Sequence, residues 1–225
     1  ARRRAPALRA ARLLPDVGIA GYSLGGMGWL ARKHGLQANA VTSMELVTAE
    51  GALVRAEPGR NPELFWALRG GGGNFGVVTA IEFAVIPVRE VYAGQLFFPM
   101  EREGGVLQAW NAMLPSLPEE LMTWVALMRF PDIPDVPETV RGREFAVVFA
   151  AFLGEEAEGR ALLEPVRALG PAMDTFAMVA PEGLANLAMD PRDPLPIHTA
   201  HQLLDELPRA AIADLVAAAG PDSGS

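Results

Sequence analysis

Leu64-Phe65-Trp66-Ala67-Leu68-Arg69-Gly70-Gly71-Gly72-Gly73-Asn74-Phe75-Gly76-Val77-Val78-Thr79 changes character twice. A short apolar helical pattern runs into four consecutive glycines, and after Asn74 and Gly76 the chain turns to an apolar, β-branched run from Val77 to Val85. The stretch predicts a helix, a loop and a strand in succession. Four glycines together cost backbone entropy and pack nothing. They suit a chain that takes positive φ, or one whose bare backbone lies against a bulky flat group. A plain connecting loop satisfies the same pattern.

Working outward, Asn61-Pro62-Glu63 offers an N-cap, a proline at the first helical position and an early acid, so a helix is expected over 62–68, delivering Arg69 to the glycines. Before it, residues 41–47 and 52–56 read as a hairpin around Ala49-Glu50-Gly51, with a scaffold role. A second glycine-rich turn lies further upstream in Gly18-Ile19-Ala20-Gly21-Tyr22-Ser23-Leu24-Gly25-Gly26-Met27-Gly28. A short helix is expected from Trp29 to His34, closed by Gly35 as an αL cap. Backbone N–H groups ahead of a helix can hold a pyrophosphate. The turn has neither the Lys-Ser/Thr pair of a Walker A loop nor the full G-x-G-x-x-G fingerprint.

Gly21-Tyr22-Ser23-Leu24-Gly25 also fits G-x-S-x-G, the nucleophile elbow of α/β-type serine hydrolases. That alternative makes Ser23 the nucleophile, with Asp174 and His198 or His201 as acid and base by chain order. It needs a buried strand just before the serine, and Val17-Gly18-Ile19-Ala20 is short and broken by a glycine.

Composition narrows the classes. The 225 residues are half hydrophobic, enough for a packed core, and the net charge of −8 argues against nucleic acid as a partner. With no cysteine and three scattered histidines, a disulfide framework, a thiolate metal site, a cysteine nucleophile and a zinc centre are not expected. No apolar run approaches the ~20 residues that span a bilayer, so no membrane partner is expected and the chain is read as soluble and cytoplasmic. The cluster Arg2-Arg3-Arg4, Arg9 and Arg12 reads as a solvated leader rather than a phosphate clamp.

From Pro87 the pattern changes. Strands are expected over 91–98, 122–130 and 144–153, helices over 101–113 and 155–169, and a last helix opening at Pro208 with Ile212, Leu215 and Val216 at helical spacing. Trp110 is expected to be buried on one helix face. These passages predict an antiparallel sheet covered by helices. Trp124 and Met128 share a strand face, as do Phe145 and Phe149. Such faces form either a sheet core or the roof of an apolar pocket. His198 and His201 read as surface residues ahead of the last helix.

The order of these motifs carries a resemblance. Gly21-x-x-Leu24-Gly25-Gly26-x-Gly28-Trp29-Leu30, Arg32-Lys33-His34-Gly35-Leu36, the hairpin turn at Val47-Thr48-Ala49-Glu50-Gly51, and the stretch from Pro62 to Thr79 closely resemble the FAD-linked oxidases of the berberine-bridge-enzyme-like group. These belong to the vanillyl-alcohol oxidase and p-cresol methylhydroxylase (PCMH) superfamily. The resemblance spans residues 18–88 and rests on two unrelated glycine turns recurring with the hairpin and helix between them.

It implies an α+β chain: the C-terminal part of a PCMH-type FAD-binding domain over 1–88, then over 89–225 part of a substrate domain, an antiparallel sheet with covering helices. It implies FAD as cofactor, held by Gly21, Tyr22, Ser23, Gly25, Gly26 and Gly28 in the first turn and by Asn74, Gly76, Val77 and Val78 at the second. Tyr22 stands where some members carry a hydrogen-bonding histidine; packing of its ring beneath the sheet is the alternative. Ser23 becomes a polar neighbour of the cofactor. The implied reaction takes a hydride from an alcohol, amine or sugar-like carbon, with oxygen reoxidising the flavin. The R-S-G-G-H-like segment with its flavin-linking histidine, the second linking cysteine, one glycine of the first turn and the family's C-terminal end have no counterpart here, so a fragment is expected. No catalytic base is assigned.

Overall fold

The computed structural model describes residues 18–189, 198–221 and 223. The arginine cluster lies outside them. The chain forms two compact units, the described residues up to Val91 with 179–189, and Tyr92 to Met178 with those from His198 onward.

In the first unit, β-branched and apolar residues build β1 (Val41–Val47), which pairs antiparallel with β2 (Leu53–Ala56) and β3 (Val77–Phe83) in the order β2-β1-β3. The hairpin closes where Thr48 N–H donates to Ala52 O and Gly51 N–H to Thr48 O, both at 3.0 Å. On the other side the register slips: Glu45 faces Ala80 but Leu46 faces Val78. Thr79 is left out of the ladder as a bulge, and its Oγ1 donates to Glu45 O at 3.3 Å.

Helix α1 is Ile19–Tyr22, α2 is Ala31–His34, α3 is Gln37–Ala40 and α4 is Pro62–Leu68. From α4, Phe65 and Leu68 enter a core with Val41, Met44, Leu46 and Ala56. Phe65 and Leu68 each contribute about 1.5–3 kcal/mol by this burial. The expected cap at Asn61 takes another form. Asn61 adopts αL geometry, and its Nδ2 donates to Arg55 O at 2.8 Å instead of its side chain capping the helix. A residue before proline is pushed out of the αR region, and asparagine tolerates αL. Gly35 takes the expected positive φ of 74°, but with ψ −167° it reverses the chain without an αL cap.

In the second unit, β4 (Val91–Pro99), β5 (Leu121–Arg129) and β6 (Glu144–Phe152) align antiparallel as β5-β6-β4, with β7 (Met173–Asp174) and β8 (Ala177–Val179) both pairing with β4. Helices α5 (Glu103–Met113) and α6 (Glu156–Arg167) cover one face. Alternation assigns that face: Tyr92, Leu96, Phe98, Ala146, Val148, Ala150 and Phe152 join Val106, Leu163 and Val166 in one core. Trp110 is half-buried against this core, and its Nε1 donates to Thr123 Oγ1 at 3.2 Å. The last helix, α7 (Arg209–Ala219), packs on α5.

Candidate functional site

Residues 18–28 fold as the single turn α1 and a reversal that closes on itself. Ser23 N–H donates to Ile19 O at 2.9 Å and Leu24 N–H to Gly21 O at 3.2 Å. The reversal is tied to α3, because Gln37 N–H donates to Gly26 O at 2.8 Å and Ala38 N–H to Gly25 O at 3.0 Å. At Gly26, φ is +72° and a β-carbon would stand 2.5 Å from the Tyr22 carbonyl oxygen. Only glycine fits there. Gly21 and Gly25 differ: a β-carbon on either would meet nothing within 4 Å.

The Tyr22 hydroxyl donates to Met27 O at 2.9 Å. Ser23 is 0 % exposed, and its Oγ has no hydrogen-bond partner among the described residues. Gly28 is buried. A small cavity of about 40 Å³ opens behind the turn, lined in part by Tyr22, His34 and Gln37. Since α2 and α3 are single turns, any anion held here meets backbone N–H groups more than an aligned helix dipole.

The glycine run is more ordered than a plain loop. Gly71 N–H donates to Ala67 O at 2.8 Å, residues Gly72–Phe75 wind one 3₁₀ turn, and Asn74 Nδ2 donates to Gly71 O at 2.7 Å. A β-carbon on Gly72 or Gly73 would meet nothing within 4 Å. Gly76 then brings the chain tightly past Val47. Val77 follows, 71 % exposed on the sheet's edge strand, while Val78 packs against the core of the first unit.

Both turns meet in space. The Leu24 carbonyl oxygen lies 3.9 Å from where a β-carbon on Gly70 would stand. Alongside is a cleft of about 470 Å³ whose lining includes Asn39, Trp66, Arg69, Gly70, Gly71 and Phe75. Trp66 is 73 % exposed. The Arg69 guanidinium sits 4.4 Å from the centroid of the Phe65 ring, and its buried Nε has no hydrogen-bond partner among the described residues. Sequence reading gives Asn39 and Arg69 no role in a site. One signal for Trp66 was available: Phe65 and Leu68 point inward on α4, which turns Trp66 outward.

The hydrolase alternative fails on geometry. Ser23 follows a helical turn, not a strand, and its hydroxyl is enclosed, whereas an elbow presents its serine. Asp174 is engaged by Arg167, with Nε–Oδ2 at 2.7 Å. His198 and His201 are exposed, as expected of surface residues. In the second unit Trp124 stacks on Phe149 with centroids 5.3 Å apart, and Phe97 and Phe130 flank Phe145. The paired aromatic positions thus lie within ring-on-ring packing. Among the described residues no cluster of three or more His, Asp or Glu could hold a metal, and no helix is long and apolar enough to cross a membrane.

No protein-family profile matches the chain. It is 38 % identical over 114 residues to a xylooligosaccharide oxidase of Thermothelomyces thermophilus, a match covering 48 % of this chain and 23 % of that protein. It is 35 % identical over 171 residues to the FAD-linked oxidoreductase azaG of Aspergillus niger, covering 73 % and 34 %. Among solved structures, a chitooligosaccharide oxidase superposes with a TM-score of 0.66 at 25 % identity over 84 % of this chain and 38 % of that one. A berberine bridge enzyme variant superposes with a TM-score of 0.65 at 22 % identity, covering 83 % and 36 %, a likeness of fold. The chain spans about a quarter to a third of the length of these two curated relatives.

Proposed function

We infer, from a chain that belongs to the FAD-linked oxidoreductases of the berberine-bridge-enzyme-like group, that it supplies one side of a flavin cradle and part of a substrate sheet in an FAD-dependent oxidase. The observation that carries this reading is the meeting of the two glycine turns. There an orphaned buried hydroxyl, Ser23 Oγ, sits among backbone left bare at Gly21 and Gly25, with Gly72 and Gly73 equally open in the second turn.

These residues fit a flavin dinucleotide. Gly21, Tyr22, Ser23, Gly25, Gly26 and Gly28 are the proposed contacts of the first turn, and Asn74, Gly76, Val77 and Val78 those of the second. Val77 lays an apolar side chain on an edge strand, where a flat ring would cover it and exclude water. Ser23 would gain the hydrogen-bond partner it lacks. The Asn74 amide, anchored on Gly71 O, holds the glycine run in shape. Bound FAD would supply the two-electron acceptor for a hydride from an alcohol, amine or sugar-like carbon, with molecular oxygen as the final acceptor.

We assign residues 1–88 to the FAD-binding domain and 89–225 to the substrate domain. The oligosaccharide names of two relatives favour a sugar-like substrate. The proposed compartment is the cytoplasm, which cell fractionation would check. Mixing the purified chain with FAD, desalting it and recording the visible spectrum tests the cradle: a retained flavin band is expected, and a colourless protein counts against it.

A further inference from the structure

We propose that α7 is a strap that releases from α5 as a unit, and that Glu103 sets how readily it does so. At one end of the pair, a β-carbon on Gly220, the C-cap of α7, would stand 3.4 Å from Glu103 Oε1, and one on Gly104 would stand 3.9 Å from Val216 Cγ2. At the other end Asn111 Nδ2 donates to Leu207 O at 2.8 Å, just ahead of α7. The two helices therefore run antiparallel, and Glu103, Gly104 and Asn111 are spaced to share one face of α5. The anchors of α7 are few. Its one fully buried side chain among the described residues is Ile212, and Leu215 is 45 % exposed. Asn111 ties the start, and Arg129 ties the end, where its Nη2 donates to Gly220 O at 2.7 Å and to Ser223 Oγ at 3.3 Å. Residues 198–206, which lead toward the helix, are exposed and form neither helix nor strand.

Glu103 works against these anchors. Its place in the first turn of α5 suits a carboxylate, because the N-terminal end of a helix is positive. With α7 seated, however, Glu103 is only 6 % exposed, and its Oε2 has no hydrogen-bond partner among the described residues. The C-terminal end of α7, the negative end of that helix, lies beside it at Gly220. Arg129 reaches the same place but spends its donors on Gly220, Ser223 and Glu144, the last at 3.2 Å from its Nε. A carboxylate covered in this way disfavours the closed arrangement, and release of α7 returns it to water. Opening of α7 thus lies at the low-stability end of the unit and leaves the sheet intact. None of this depends on bound flavin.

The test is native-state hydrogen exchange of the intact chain, followed by NMR at the amides of α7 and β6. In the parent chain the amides of α7 should lose protection together and exchange at least tenfold or so faster than those of β6. Glu103→Gln keeps the shape and removes the charge, and should slow exchange in α7 about three- to tenfold with β6 unchanged. Asn111→Ala and Arg129→Met each free one end of the strap and should speed it by a similar factor. Exchange in α7 that is unchanged or faster in Glu103→Gln overturns the proposal. So do α7 amides that exchange only together with β6. Protection that fades step by step from Gly220 toward Arg209 and ignores Asn111→Ala also overturns it, since that is a helix end fraying rather than a strap releasing.

Discussion

The carbonyl oxygen of Val47 fills the space that a β-carbon on Gly76 would need, and Gly76 passes it with φ at 141°. Val47 also pairs with Val77, so this contact sets where β3 begins and how Val77 is presented. Gly76→Ala combines a strained φ with an overlap against backbone that cannot yield. It should cost about 2–4 kcal/mol, read as a lower urea midpoint. A midpoint within error of the parent would show that β3 can start elsewhere.

Ser23 carries a hydroxyl buried without a partner. Ser23→Ala removes a desolvated group and is expected to leave the stability of the flavin-free chain unchanged or to raise it by up to about 1 kcal/mol. Flavin retention should fall, because the proposed partner of that hydroxyl is then lost. Thermal unfolding with and without FAD separates the two effects. The parent chain should also escape labelling by a fluorophosphonate probe, since an enclosed serine is no nucleophile.

Arg167 ties α6 to the sheet through Asp174 at 2.7 Å and the Tyr92 hydroxyl at 3.1 Å, with its guanidinium 5.5 Å from the Phe176 ring centroid. Burial works against its charge, but the hydrogen bonds to Asp174 and Tyr92 outweigh that, and its pKa is raised. Arg167→Met should destabilise by about 1–3 kcal/mol. A raised arginine pKa contributes stability that is fully present below the unfolded value and lost only as pH rises through the folded one. The loss measured by urea unfolding should therefore be flat between about pH 6 and pH 9.

Arg55 gathers three carboxylates on the three-stranded sheet: Glu57 at 2.8 Å, Glu82 at 3.0 Å and Glu45 at 3.5 Å. The hydrogen bonds to Glu57 and then Glu82 hold its pKa above the ordinary arginine value. Arg55→Ala leaves these acids facing one another. The urea midpoint should drop at low ionic strength, and the difference should narrow in about 0.5 M NaCl, where exposed charges are screened. A loss that does not respond to salt would point to packing of the arginine stem.

Much of the architecture was written locally. Apolar and β-branched runs marked β1, β4, β5 and β6 to within a residue or two, and alternation along them separated the face that meets α5 and α6. The run Asn61-Pro62-Glu63 marked the start of α4 because proline and its neighbours restrict φ and ψ whatever the rest of the chain does. The glycines at 26 and 76 were visible as candidates for the same reason: only a residue without a β-carbon takes those angles against backbone.

What only the tertiary structure decided depends on contacts between distant segments. Helix α1 stands where a strand would have been needed for a nucleophile elbow, and the reversal after it is held by α3, whose backbone donors the local pattern of Gly21 to Gly28 does not name. Placement of β6 between β5 and β4 is likewise set by which arrangement buries both sheet faces. The meeting of Leu24 with Gly70 and the orphaned donor of Arg69 join segments distant in sequence or depend on what surrounds them in the folded chain. Periodicity reports which side of an element is apolar. Which polar atom is left without a partner is settled only when the chain has closed on itself.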